Sequence, residues 1–158
     1  MISLNRVLIP VCTLLALTAP PVQAEDGYVV YESESGFDDV MDAVKLAIEE
    51  QGMYINNVMH MNEMLERTGK DLGMDEPIYG QAESIEFCSA VLSRRMTSEM
   101  PARIVNCPFI IAVYTLPGQS DATYVVHRRI PASEVESSAV MRDVAQMLET
   151  VASSAAEW

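Results

Sequence analysis

The sequence predicts an α+β fold, a small mixed or antiparallel sheet packed against helices as a two-layer sandwich. Three observations carry that prediction. The chain is 158 residues long, enough for one core and too short for two full ones. Its apolar residues alternate between strand and helix periodicity in a β-α-β-α order. Two β-rich runs near the end then flank a turn, which closes the sheet as a hairpin. With 49% hydrophobic and 21% charged residues, the composition excludes a wholly disordered chain or a collagen-like repeat.

The first segment is read as an address rather than part of the fold. Met1 to Arg6 is a short basic start and Val7 to Ala19 is almost wholly apolar. Pro20 to Ala24 then forms a breaker and a small-residue cleavage site. The apolar run is too short for a membrane span, which needs about 20 residues, and it meets Glu25 and Asp26 directly. Residues 1–24 are therefore expected to be a signal peptide, leaving 25–158 as a single periplasmic or secreted domain with no membrane anchor. Cys12 follows Val11 rather than a small residue and lies within the apolar run, which argues against lipidation.

In the remainder, Gly27 to Ser33 (GYVVYES) is β-branched and aromatic, as a first strand should be. Ser35 is placed to cap a helix in which Phe37, Val40, Met41, Val44, Ala47 and Ile48 share one face, and Gly52 ends it. Asp38, Asp39 and Asp42 crowd its start, where each favours the helix dipole by about 0.3–1 kcal/mol. Capping and solvation explain this cluster better than catalysis does. Met53 to His60 reads as a second strand, and Asn62 as the cap of a short helix stopped by Gly69 or Gly73.

Ser84 is placed as the cap of a further helix burying Ile85, Cys88, Val91, Leu92 and Met96. Phe109 to Leu116 (FIIAVYTL) is nearly continuous in apolar character, the pattern of a central strand covered on both faces. Pro117 to Asp121 turns the chain into Thr123 to Arg129. A last helix starts near Pro131 or Ser133, presents Val140, Val144, Leu148 and Val151, and gives way to a frayed small-residue tail.

Ten Lys and Arg against 23 Asp and Glu give a net charge of -13, which opposes binding to phosphate backbones, so nucleic acid is not an expected partner. No Gly-x-Ser-x-Gly, Cys-x-x-Cys or Cys-x-x-Cys-His occurs. The first absence removes the usual acyl-transfer signature, the second a thioredoxin-like motif and the third ordinary covalent haem attachment. An enzyme is the weaker expectation. After export only Cys88 and Cys107 remain, and an oxidising compartment predicts a disulfide contributing roughly 3 kcal/mol by loop closure.

His60 is the leading candidate site residue. It ends a strand among Met59, Met61 and Met64, and imidazole can hold haem iron while imidazole with thioethers suits Cu(I). Haem bound through His60 is the first cofactor expectation and copper on His60, Met59, Met61 and Met64 the alternative; thiol-redox use of Cys88 and Cys107 is a third. Core packing with a hydrogen-bonded histidine is the plainer account, since Met61 and Met64 have helical spacing and alternation turns Met59 away from His60. His127 and Arg129 share a strand face, and arginine forks suit carboxylates or haem propionates, although edge protection by surface charge explains them too. Arg94 and Arg95 read as the solvated side of a helix.

The stretches VMHMNEMLERTGKDLG, PIYGQAESIEFCSA, NCPFIIAVYTL and YVVHRR, between Val58 and Arg129, resemble the domain of unknown function 302 family. The resemblance implies a small, commonly dimeric α/β fold and assigns no catalytic residue. Exported members carry the His60, Phe87-Cys88 and Cys107-Pro108 pattern found here. A homodimer is accordingly the expected assembly, with a small molecule or metal as the expected kind of ligand.

Overall fold

The computed structural model describes residues 23–25, 27–119 and 121–158. The basic start and apolar run of the expected signal peptide, residues 1–22, lie outside them. The elements follow the order β1 (Gln23–Glu25), β2 (Tyr28–Ser33), α1 (Phe37–Glu50), β3 (Tyr54–His60), α2 (Met61–Leu72), β4 (Gln81–Cys88), α3 (Ala90–Glu99), a 3-10 turn (Pro101–Asn106), β5 (Phe109–Thr115), β6 (Thr123–Arg128), α4 (Ala132–Ser137) and α5 (Ala139–Ala156). The six strands form one sheet in the order β1-β2-β6-β5-β4-β3. Every neighbouring pair is antiparallel, so the α+β expectation holds in its antiparallel form. A cut after Ala24 would remove two residues of the three-residue β1.

One face of the sheet is the core face. Val29 and Tyr31 of β2, Val125 and His127 of β6, Ile111 and Val113 of β5, and Ile85 and Phe87 of β4 all point into it and are buried. They meet α1, which contributes Val40, Val44 and Ile48, and α5, which contributes Val144, Leu148 and Val151. These helical residues are the periodic positions legible in the sequence. Gly52 and Gly73, at φ 68° and 70°, end α1 and α2 in the left-handed conformation that glycine adopts most readily.

On the opposite face, Ala112 and Tyr114 of β5 and Tyr124 and Val126 of β6 are half-buried and Ile110 is exposed. Strand β5 lies between β4 and β6, centrally as expected, but its residues alternate between buried and more exposed positions. It is therefore covered on one face rather than two. An apolar run on its own does not distinguish a doubly buried strand from one whose second apolar face is open.

Four local expectations are corrected. The helix expected from Ser84 is strand β4 as far as Cys88; Ile85 and Phe87 alternate with Ser84 and Glu86, and pairing with β3 and β5 on both sides satisfies the backbone. The cap is Ser89, whose hydroxyl accepts from the Leu92 amide at 3.3 Å. Ser35 does not cap α1 with its side chain: the following residue, Gly36, holds that position, and the Ser35 hydroxyl donates to the Trp158 carbonyl at 2.7 Å. Asn62 lies inside α2, with His60 at the capping position.

The tail after Val151 is also ordered as helix. Helix α5 runs to Ala156, and Ala152, Ala155 and Ala156 are buried. Their small side chains permit close packing. The last helical stretch is split at Ser138, whose hydroxyl accepts from the Met141 amide and starts α5.

Candidate functional site

His60 stands at the inner-face end of edge strand β3, in register with Glu83 of β4. Its Nδ1 lies 2.8 Å from Glu83 Oε1, with the histidine side chain 60% exposed. A proton on Nδ1 donates to the carboxylate and leaves Nε2 with a lone pair, an arrangement that orients a metal-ligating imidazole. This is a surface histidine, so packing in the core is not its role. Met59 pairs with Ser84 on the other face, as alternation requires. Met61 and Met64 belong to α2, which buries none of its residues. The copper set is thereby divided between two faces, and no group of three or more His, Cys, Asp or Glu able to hold a metal occurs among the described residues.

Cys88 and Cys107 are not joined in the structure, unlike the expected disulfide. The strand character of β4 decides where Cys88 points. Phe87 points into the core, so Cys88 turns outward, where its Sγ accepts from Asn56 Nδ2 at 3.2 Å. Cys107, after the 3-10 turn, packs against the core and lies 2.9 Å from the Ser93 hydroxyl. The expectation that Cys88 faces inward is likewise overturned.

The middle of the opposite face is aromatic and apolar, bordered by Glu32, Glu86 and Arg128. Tyr114 of β5 and Tyr124 of β6 stack at 5.0 Å, and Tyr79 leans against Tyr114 at 5.4 Å. Ala112 and Val126 pair across these strands, and Val30 continues the row on β2. Ile110 and Tyr28, at 48% and 42% exposed, extend the patch. Burial, followed by the neighbouring tyrosines, raises the Tyr114 phenol above its ordinary range, so it remains protonated at neutral pH.

His127 is the second histidine, and its environment differs. It is 5% exposed on the core face of β6 and stacks on Tyr31 at 6.1 Å. Nδ1 lies 3.0 Å from the Arg128 carbonyl. A carbonyl only accepts, so this hydrogen bond places the proton on Nδ1. Nε2 is then a buried lone pair with no hydrogen-bond partner among the described residues. Burial holds this imidazole below its ordinary range, against the opposing bond to Arg128, so it is neutral at neutral pH. The ring lines a cleft of about 510 Å³ between β6 and helices α4 and α5, together with Arg129, Arg142 and Glu149.

Arg103 was not legible as important in the sequence. It is buried, and it ties the 3-10 turn to Glu99 of α3 at 2.7 Å and to Glu134 of α4 at 2.7 Å. Ser138 donates to the same Glu99 carboxylate at 2.6 Å. The four-residue spacing of Glu99 and Arg103 is the one local signal for this network.

A family model described as "Domain of unknown function DUF302" matches residues 29–155. Among solved structures, the crystal structure of an uncharacterized conserved protein DUF302 from Bacillus stearothermophilus is similar, with a TM-score of 0.64 at 13% identity, over 81% of this chain and 97% of that one. At that identity the likeness concerns the fold. No curated protein matches the chain.

Proposed function

We propose that this chain, which belongs to the domain of unknown function 302 family over residues 29–155, is an exported binding and interaction module that works as a homodimer paired through the sheet face opposite its core. The observation that carries this reading is the Tyr114–Tyr124 stack set among Val30, Ile110, Ala112 and Val126 on the sheet face opposite the buried core. Apolar side chains left partly open to solvent side by side favour association, and a two-fold axis makes such a surface complementary to itself. The basic start, apolar run and small-residue junction of residues 1–24 support export.

The test is association measured by sedimentation equilibrium. The unmodified chain should be dimeric at micromolar concentration. Val126→Glu, which places like charges near one another across the two-fold axis, should weaken association by roughly a hundredfold or more, with an unchanged far-UV spectrum. A monomeric unmodified chain, or a dimer indifferent to Val126→Glu and Tyr124→Glu alike, refutes the reading.

The His60–Glu83 pair favours a second role on the same module, ligation of haem iron by Nε2 of the exposed His60. A haemin titration followed in the Soret band tests it. His60→Ala should abolish the shift, and Glu83→Gln should weaken binding by about 10–100-fold, the usual effect of removing a carboxylate that orients a ligand. An unchanged band in His60→Ala eliminates haem at this position. A copper site would draw on Met61 and Met64 with His60, and not on Met59.

A further inference from the structure

The geometry points to a binding site for a small amphiphilic primary amine, in its protonated form, in the groove between helix α2 and the segment 73–78 that leads on to β4. None of the residues lining this groove belongs to the Tyr114–Tyr124 surface or to the His60–Glu83 pair, so the site is separate from both.

The groove exists because of how α2 ends. Gly73 adopts φ 70°, and the Met74 amide donates to the Gly69 carbonyl at 2.8 Å, which turns the chain back toward the helix. A Cβ at Gly69 would lie 2.6 Å from the Met74 carbonyl oxygen. The close approach therefore requires glycine inside the helix, a position where it weakens helical structure. Met61, Leu65, Thr68 and Leu72 share one face of α2 at helical spacing, yet α2 buries none of its residues. Leu72, Met74 and Ile78, which line the groove, are 64%, 69% and 60% exposed. Covering such side chains with the apolar body of a ligand is favourable, and a volume of about 480 Å³ suits a body of one or two rings.

Charge selects the other end of the ligand. Glu66 on the helix and Asp75 and Glu76 on the facing segment are set against Lys70, so three carboxylates and one ammonium leave two net negative charges around the apolar lining. Glu66 is held by Asn62, whose Nδ2 donates to its Oε1 at 3.1 Å. Among the described residues Lys70 forms no ion pair, so it neutralises none of the three carboxylates by contact. A fatty acid or other anionic amphiphile is repelled here and a cation attracted. Among the described residues no aromatic ring lines the groove, which removes the cation–π contact that recognises a quaternary ammonium. A primary ammonium instead brings three N–H donors, and charge-assisted hydrogen bonds to carboxylates suit it.

The experiment is a titration of the ¹⁵N-labelled protein with 4-phenylbutylamine at neutral pH, followed in amide spectra. The comparison compounds are 4-phenylbutan-1-ol, 4-phenylbutyrate and trimethyl(4-phenylbutyl)ammonium. The amine should give saturable shifts among the amides of residues 62–78. The alcohol and the quaternary ion should bind about tenfold more weakly, and the acid should give no saturable shift. Glu66→Gln combined with Asp75→Asn and Glu76→Gln should erase the preference for the amine and leave the affinity for the alcohol unchanged. Lys70→Glu should strengthen amine binding by about threefold, and Ile78→Ser should weaken amine and alcohol alike. Amides outside residues 62–78 report whether each variant keeps the fold. The proposal is overturned by an amine that gives no saturable shift in residues 62–78, by equal binding of amine and alcohol, or by a preference that survives the triple substitution. Shifts of the same amides with protein concentration alone would assign the groove to a second copy of the chain and overturn it as well.

Discussion

Phe87→Ala should lower the free energy of unfolding by about 3–5 kcal/mol, measured by guanidinium titration. Phe87 is fully buried, and its ring lies 5.8 Å from Phe109 on the neighbouring central strand. Truncation removes the transfer free energy of the ring and also leaves a cavity that β3 and β5, hydrogen-bonded on either side of β4, cannot close. Domains of this size are stable by only about 5–15 kcal/mol, so the variant should sit near its unfolding threshold. Tyr54→Ala on β3 is the matched control: that side chain is 74% exposed, and its loss should stay within about 0.5 kcal/mol. Similar losses for the two variants would mean that β4 does not bury Phe87 as described.

Arg103→Met should lower stability more than loss of either of its carboxylate partners and should change the acid limb of the stability curve. The guanidinium reaches Glu99 and Glu134 at once, so removing it leaves two carboxylates without their common cation. Removing one carboxylate, as in Glu99→Gln, leaves the cation still paired. Arg103→Met should therefore lower Tm more than Glu99→Gln does. The hydrogen bond from Ser138, and then that from Arg103, hold the Glu99 carboxyl below its usual value of 4.5 in the folded chain. A carboxyl with a lowered folded value binds fewer protons than its unfolded counterpart in that range. Its stabilising contribution is therefore complete above pH 4.5 and is lost as pH falls through the folded value. Arg103→Met combined with Ser138→Ala should flatten this part of the curve, as measured by thermal unfolding from pH 6 downward. A limb as steep as in the unmodified protein would assign the acid sensitivity to other groups.

Much of the architecture was legible in the sequence because it rests on local period. The faces of α1 and α5 repeat at helical spacing, and β2, β5 and β6 show β-branched and aromatic runs bounded by turn residues. The segment from Ser84 to Met96 reads as helix in sequence because its apolar positions satisfy part of a helical pattern while alternating as a strand as far as Cys88. Sheet partners on both sides decide for the strand, and partners of that kind leave no mark on a single segment. The direction of Cys88 is hidden for the same reason, since which side of β4 it faces depends on the strand assignment.

The candidate sites divide along the same line. His60 was conspicuous because its neighbours in the chain are methionines, yet its real partner is Glu83, brought opposite by register. His127 looked like part of a basic edge, and its buried lone pair exists because β2, α4 and α5 close around it. Arg103 joins Glu99, four residues away, to Glu134, 31 residues away. Periodicity, turn residues and charge balance act between near neighbours or over the whole composition, so the order of residues alone settles the fold class, most of the elements and the acidic character. Burial, hydrogen-bond partnership and the direction a thiol or imidazole faces depend on chain segments far apart in sequence, and these came into being only when the sheet and its helices packed together.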